Sequence, residues 1–397
     1  MTRMTVFREV TAAVGISVKS IKQRLSMSLA TIIGIALVVL VLVGFLSMAN
    51  GFRESLSGTG STDVMIVTSR GAKTETDSVI TADQFRLVEM APGLFRDRNG
   101  KPIISGEAYA VVSAKRRGNG DPINLSLRGV GASGLEVRSG FTLPEGRMFA
   151  SGSQEIVIGR SLSRQVDGFD LGRTVRLGPA TWKIVGIFDA KGSALESEIW
   201  GDISVVKSFY KLGNIYQSIR IRQPSERERD IFAHYVRGDP QLRLDTISEQ
   251  KFFSAQSRGL SNMIEYLGWP LAMLMALGAL AGALNTMHSS VAARASEIGT
   301  LRVLGFGAIS TFSGVMAEAT VLALVGATLG ILVSFVLFNG MSATTISGGM
   351  TMLNFKLALS VEIVLSALVL GLSVGLLGGA IAAWRAVRQP ILETLSQ

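Results

Sequence analysis

Four stretches of the chain run long without charge: Leu29 to Met48; Leu267 to Val291, where only His288 can titrate; Ala308 to Lys356, where Glu318 is the sole charge before the lysine; and Ile363 to Trp384. Each exceeds the roughly 20 residues that a helix needs to cross about 30 Å of hydrocarbon. The pattern therefore predicts four spans, at 26–49, 263–290, 308–340 and 359–385. Ahead of them Phe7, Val10, Val14, Val18, Ile21 and Leu25 recur at three- and four-residue spacing, which predicts an amphipathic helix over 1–25 lying along a membrane surface.

Between the first two spans, residues 50–262 alternate strand and helix patterns and are numerous enough for a core of their own. Strands are predicted at Asp63 to Ser69, Ile103 to Ala114, Ile123 to Val130, Gln154 to Ile158, Thr174 to Leu177, Trp182 to Phe188 and Tyr216 to Arg222. Helices are predicted from Thr81, as a cap, to Met90, and from Pro224 to about Val236. From Ser248 the pattern turns helical with no strong breaker before Trp269-Pro270, so the second span extends outward as a stalk. Residues 291–307 form a short hairpin, 341–358 a short outer loop and 386–397 a tail. The fold class is an α-helical membrane domain of four transmembrane helices plus a mixed α/β extracytoplasmic domain.

Composition agrees with the spans: of 397 residues, 48% are apolar and 17% charged. The net charge of +9 would suit nucleic acid if it formed one basic stripe, but much of it flanks the spans. Lys19, Lys22 and Arg24 precede the first, Arg294 and Arg302 lie in the hairpin, and Arg385 and Arg388 follow the last. The positive-inside rule puts all three places, and both termini, in the cytoplasm and residues 50–262 outside it. With no cysteine and only two histidines, neither a disulfide framework nor a Cys/His metal cluster is available. Gly129-Val130-Gly131-Ala132-Ser133-Gly134 fits GxGxxG but reads as a glycine-rich turn, and no GxxxxGK[ST] phosphate loop occurs. If ATP is used, another chain must bind it.

Inside the spans, Gly278/Gly282, Gly326/Gly330 and Gly371/Gly375/Gly379 recur four apart and permit close helix approach, within the chain or against a second copy. An ionised Glu318 would cost on the order of 2.5–3.5 kcal/mol at mid-bilayer, less near the edge, which calls for a structural hydrogen bond to the hairpin or an adjacent helix. In the hairpin, Ala292 to Leu304 reads as helix, with Ile298, Leu301 and Leu304 on one face and Gly305 and Gly307 as stops.

Several of these residues carry a resemblance. Asn285-Thr286-Met287 ends the second span; then follow Arg294, Glu297-Ile298-Gly299, Leu301-Arg302-Val303-Leu304-Gly305 and, inside the third span, Glu318. After the last span runs Ala386-Val387-Arg388-Gln389-Pro390-Ile391-Leu392-Glu393-Thr394-Leu395. In these features the chain resembles permease subunits of ABC transporters of the MacB/FtsX type, most strongly over the C-terminal part. Glu155-Ile156-Val157-Ile158-Gly159, Leu171-Gly172 and Trp182 to Ile187 are more loosely similar to that family's periplasmic core domain. Ala292 and Ala293 stand where an acidic residue usually precedes the arginine.

The resemblance implies a subunit of the bacterial inner membrane with a periplasmic domain, without a fused ATPase, like DevC-like or LolC/LolE-like members. Two subunits, a permease copy or a related permease, would pair with two cytoplasmic ABC ATPase subunits that supply ATP and Mg sites. The ATPase contact implied is the coupling helix, Arg294, Glu297, Ile298, Gly299, Leu301, Arg302 and Gly305, with Glu318 and Asn285 in structural roles. A membrane-fusion protein or lipoprotein outside, and membrane lipid, complete the implied partners. Mechanotransmission to export or extract a substrate is the implied function; the alternative is an FtsX-like signalling scaffold acting on a partner such as a cell-wall hydrolase.

Overall fold

The computed structural model describes residues 9–11, 13–15, 17, 25–57, 59–138, 140–293, 299–300, 307–339, 341–346 and 352–388. In chain order come helix α1 (Leu25–Ser57), strands β1 (Val64–Ser69) and β2 (Ile80–Thr81), α2 (Ala82–Glu89), β3 (Ile104–Lys115), β4 (Pro122–Val130), α3 (Gly134–Val137) and β5 (Thr142–Gly146). Then follow β6 (Glu155–Gly159), α4 (Arg160–Gln165), β7 (Thr174–Leu177), β8 (Ala180–Asp189), a 3₁₀ turn (Ala194–Ser197), β9 (Glu198–Asp202), α5 (Ile203–Phe209), β10 (Ile215–Tyr216) and β11 (Ser218–Arg222). Last are α6 (Glu226–Gly238), β12 (Leu244–Ser248), α7 (Glu249–Ala292), α8 (Ala308–Phe338), β13 (Ser342–Ile346), β14 (Met352–Lys356) and α9 (Val361–Arg388). The chain divides into a helix unit, Met1–Asn50 with Asn262–Met341 and Leu357–Gln397, and a sheet unit, Gly51–Ser261 with Ser342–Lys356.

The sheet unit is built on one sheet of order β12-β1-β11-β3-β4-β9-β6-β8-β5, with β7 also paired to β8. Only β4 with β9 and β6 with β8 are parallel; the other neighbours are antiparallel. Alternation along the strands sends one set of side chains into two cores. Leu125, Leu127, Ile156, Ile158, Trp182, Ile184 and Ile199 pack with Leu162 of α4 and Val206 of α5. Met65, Val67, Ile104, Ile219, Ile221 and Leu244 pack with Val88 of α2 and with Phe232 and Val236 of α6. Full burial of such side chains is worth about 1.5–3 kcal/mol each.

Local chemistry explains where elements start. Thr81 caps α2 through a capping box: its hydroxyl accepts from the Gln84 amide at 3.2 Å and the Gln84 side chain accepts from the Thr81 amide at 2.9 Å. Asp202 caps α5, accepting from the Ser204 amide at 2.9 Å. The strand expected over Tyr216 to Arg222 is split at Gln217. There the side chain replaces a ladder partner, accepting from the Tyr109 amide at 2.6 Å and donating to the Tyr109 carbonyl at 3.0 Å. The helix expected from Pro224 begins at Glu226, with Ser225 as its N-cap.

The stretch read as a short outer loop is a β-hairpin, β13 with β14, in register Ser342↔Lys356 to Ile346↔Met352. It belongs to the sheet unit. Leu353, Asn354 and Phe355 are all buried, with Phe355 edge-on to Phe52 at 5.5 Å and the Asn354 amide donating to the Ser197 hydroxyl at 3.1 Å.

In the helix unit, α1 contributes Ile35, Val38, Val39, Leu42 and Val43 to a core with Ala272 and Ala276 of α7, Ala323 and Ala327 of α8, and Ile363, Ala367 and Val374 of α9. Four helices, α1, α7, α8 and α9, are long and apolar enough to cross a membrane. Helix α7 continues through Pro270, at the cost of one main-chain hydrogen bond. Of the predicted N-terminal helix, residues 9–11, 13–15 and 17 are helical; Ala13 and Ser17 are buried, whereas Val10 and Val14 of the predicted apolar stripe are half-buried. Phe7, Val18 and Ile21 lie outside the described residues.

Candidate functional site

Of the coupling-helix residues, Gly299 is helical and buried; Arg294, Glu297, Ile298, Leu301, Arg302 and Gly305 lie outside the described residues. Helix α8 begins directly beyond this segment, at Ala308, with Gly307 as its N-cap. Ten residues into α8, Glu318 is buried and accepts a hydrogen bond from the Ser290 hydroxyl of α7 at 3.1 Å. That bond supplies a partner for a polar group in an apolar span. Asn285 is exposed on α7.

The glycines predicted to line helix contacts have two different fates. Helices α8 and α9 meet through small residues in an antiparallel ladder: a Cβ on Gly371, Gly375 or Gly379 would lie 2.9, 2.3 and 2.3 Å from the Cβ of Ala327, Ala323 and Ala319 respectively. Gly326 and Gly330 let α8 approach α1, where a Cβ would come within 2.9 Å of the Ile32 carbonyl and 2.7 Å of the Ala36 carbonyl. Gly278 and Gly282 face open space. With Asn285 they are spaced four and three apart, so all three share one face of α7.

The sheet unit contains a charged centre that the sequence reading did not single out. Arg128 of β4 is 2% exposed and commits all five of its donors to three carboxylates. Nε and Nη2 reach Glu198 at 2.9 and 2.6 Å, Nη1 and Nη2 reach Glu75 at 2.9 and 2.8 Å, and Nη1 also reaches Glu107 at 3.0 Å. Glu107 of β3 also binds Arg138, at 2.6 Å, and Arg220 of β11. Arg220 in turn lies 3.4 Å from Glu75 and 3.0 Å from Glu249, the first residue of α7. These two are ion pairs by distance, since Nε and Nη2 of Arg220 lack hydrogen-bond alignment. Aromatic faces complete the surroundings, with Arg128 over Tyr109 at 5.3 Å and Arg138 over Trp200 at 4.9 Å.

Burial alone would push the Glu75 carboxyl up, but attraction to Arg128 and Arg220 and hydrogen bonds from Arg128 and Ser218 outweigh it, so it titrates well below the ordinary carboxylate range. Glu107 is lowered as well: burial opposes, and Arg138, Arg220 and Arg128 prevail. Their folded-state values lie below their unfolded ones, so the stabilisation is present above the unfolded value and is lost as pH falls through the folded ones. Thermal midpoints are accordingly expected to hold steady above about pH 5 and to fall progressively below it, with a shallower acid limb in Glu75→Gln. Midpoints independent of pH in the acid range would contradict this.

Among the described residues no group of acidic or histidine side chains is arranged to hold a metal ion. The GxGxxG glycines serve packing: a Cβ on Gly129 would meet the Ile203 Cα at 2.9 Å, and one on Gly131 the Gly106 carbonyl at 3.0 Å. A single helical turn, α3, opens at Gly134, too short to frame a dinucleotide. A groove of about 960 Å³ runs beside β12, α6 and the base of α7 and mixes Lys73, Arg237 and Lys251 with Glu226 and Asp230.

A four-helix frame with a mixed α/β sheet unit inserted after the first span defines a class of membrane permease. The chain matches the MacB-like periplasmic core domain family over residues 28–250 and the FtsX-like permease C-terminal family over residues 271–391. It belongs to the MacB/FtsX type of ABC transporter permease, and most of its sheet unit, from Gly51 to residue 250, falls within the match to the MacB-like periplasmic core domain. It is 25% identical over 391 residues to the macrolide export ATP-binding/permease protein MacB of Acinetobacter baylyi, covering 93% of this chain and 56% of that protein. The pyoverdine export ATP-binding/permease protein PvdT of Pseudomonas entomophila is 23% identical, with 93% and 56% covered. An uncharacterized ABC transporter permease of Methanocaldococcus jannaschii, MJ1507, is 22% identical, with 95% and 96% covered. The chain thus spans about half the length of the ATP-binding/permease relatives and nearly all of the archaeal one. Among solved structures, the periplasmic region of MacB from Actinobacillus actinomycetemcomitans aligns at 13% identity with a TM-score of 0.36, covering 50% of this chain and 94% of that one.

Proposed function

We propose that the chain is the membrane subunit of an ABC transporter in which a separate cytoplasmic ATPase pair binds ATP and Mg and drives export or extraction of a substrate outside the inner membrane. The observation that supports this reading most is the charged segment from Arg294 to Gly305, set between α7 and α8 within the FtsX-like match. Its position suits a contact that moves two spans at once, with Glu297, Arg302 and Gly305 on the ATPase and both termini in the cytoplasm. Mechanotransmission is supported by α7, one helix from Glu249 to Ala292. Pairing with a second permease copy is supported by the open Gly278, Gly282 and Asn285 face, where small residues allow close approach and an amide can hydrogen-bond across helices. A membrane-fusion protein or lipoprotein is the outer partner in this reading, with lipid around the four spans.

Affinity purification of the tagged full-length chain from its native membranes tests the association. An ABC ATPase is expected to co-purify with the unmodified chain and to be lost from Glu297→Lys and Arg302→Glu, while both variants still elute as folded protein. Equal ATPase recovery from all three would remove the assignment. Recovery of a cell-wall hydrolase in place of a membrane-fusion protein or lipoprotein would turn the reading to signalling.

A further inference from the structure

Helix α1 ends at Ser57 and α7 begins at Glu249, and the sheet unit holds these two ends side by side. Glu249 is 5% exposed and its carboxylate faces two ways. Oε1 lies 3.0 Å from Nε of Arg220, which is fully buried in the ionic centre, and Oε2 accepts from the Ser61 amide at 3.2 Å. A main-chain bond from the Gln250 amide to the Ser61 carbonyl, 3.4 Å, runs alongside. Between them Gly60 has φ +87, and a Cβ there would fall 2.7 Å from Glu249 Cγ and 3.0 Å from its carbonyl carbon. Only glycine fits that turn at that distance.

The α1 end is fixed independently to the sheet unit. The Thr59 hydroxyl donates to the Ser55 carbonyl at 2.6 Å and accepts from the Ala194 amide at 2.8 Å, and the Ser55 hydroxyl donates to the Gly192 carbonyl at 3.3 Å. A glutamate in a first helical turn is ordinary when it faces water, since the helix N-terminus favours negative charge. Here it is buried, where an ionised carboxylate is costly unless it is paired and hydrogen-bonded. The pairing it makes is with the sheet and with the other helix's exit, not with its own helix.

We propose that Glu249 is a positioning residue: a clasp that registers the ends of α1 and α7 on the buried Arg220–Glu107–Arg128 centre, so that the two ends move with the sheet as one body. This deepens the transport reading, on which its purpose rests, because a displacement of α7 would then be delivered to the buried charged centre through Glu249, beside the separate attachment of the α1 end. The geometry of the clasp does not depend on that reading.

The chain has no cysteine, so an introduced pair is its only source of a disulfide. Ser61→Cys with Gln250→Cys reports the clasp in the full-length chain in detergent, and Ser113→Cys with Asn124→Cys, an exposed cross-strand pair in β3 and β4, reports the sheet away from it. Under mild oxidation the clasp pair is expected to close rapidly. Adding Glu249→Gln or, independently of charge, Gly60→Ala is expected to slow that closure roughly fivefold or more, as an opening of about 1 kcal/mol would, with the control pair unchanged. Unchanged closure at the clasp, or equal slowing at both pairs, would overturn the proposal, the second because it marks general destabilisation. Neither ATP nor an ATPase enters this measurement, so its failure is separate from failure of the transport reading.

Discussion

Replacing Arg128 with leucine is expected to lower the thermal midpoint of the full-length chain by roughly 6–20 °C and to cut the yield of folded protein. The guanidinium is the common partner of Glu75, Glu107 and Glu198, all nine-tenths or more buried, and its five donors are all in use. Taking out one member of a buried ion pair costs about 3–5 kcal/mol, because the remaining charge stays buried without its partner. For a domain of this size each kcal/mol shifts the midpoint by about 2–4 °C. Lysine restores the charge but offers three donors from one point, so Arg128→Lys is expected to fall between the wild type and leucine. A leucine variant melting with the wild type would mean that the carboxylates find other partners and that the centre is not what fixes these strands.

Gly375→Leu is expected to have the largest effect in the helix unit. Its Cβ alone would sit 2.3 Å from the Ala323 Cβ, with the Ala319 carbonyl at 3.3 Å and the Ala323 Cα at 3.4 Å. None of these is the far end of a flexible side chain, so relief requires α8 and α9 to separate. Overpacking a tight contact costs typically 1–3 kcal/mol, and here the contact is one rung of a ladder that also holds Gly371 and Gly379. Gly278→Leu is the same substitution in another of the four apolar helices, yet its Cβ meets nothing within 4 Å. Size-exclusion profiles and thermal midpoints in detergent should separate the two, with Gly375→Leu aggregating or melting early and Gly278→Leu retaining the monomer's fold. Equal behaviour would contradict the close contact of α8 with α9.

Much of the architecture is legible in the pattern of apolar residues, because spans and alternating strands depend on local sequence. Thr81 with Gln84 marks a helix start through chemistry confined to four residues. The ionic centre is different in kind. Arg128 between Leu127 and Gly129, and Arg220 between Ile219 and Ile221, alternate as residues on the wet face of a strand would. Their burial depends on what covers that face, including Glu75 from a loop and Glu249 from a helix far along the chain, and no local pattern reports it. The hairpin β13–β14 is hidden for a related reason: a short stretch between two spans reads as a connector, although Leu353-Asn354-Phe355-Lys356 alternates apolar and polar residues as a strand does. Glycine spacing identified a face on each span but not its neighbour, so Gly278/Gly282 and Gly371/Gly375/Gly379 look alike in sequence and differ in the fold.

ATP turnover by the reconstituted assembly tests the central claim most directly. With the co-purifying ATPase held at fixed concentration in proteoliposomes, hydrolysis is expected to rise when the full-length chain is present and to return to the level of the ATPase alone when the chain carries Arg302→Glu, with the sheet unit's thermal midpoint unchanged. Turnover that is the same with the chain, without it and with Arg302→Glu would contradict an ATP-coupled permease.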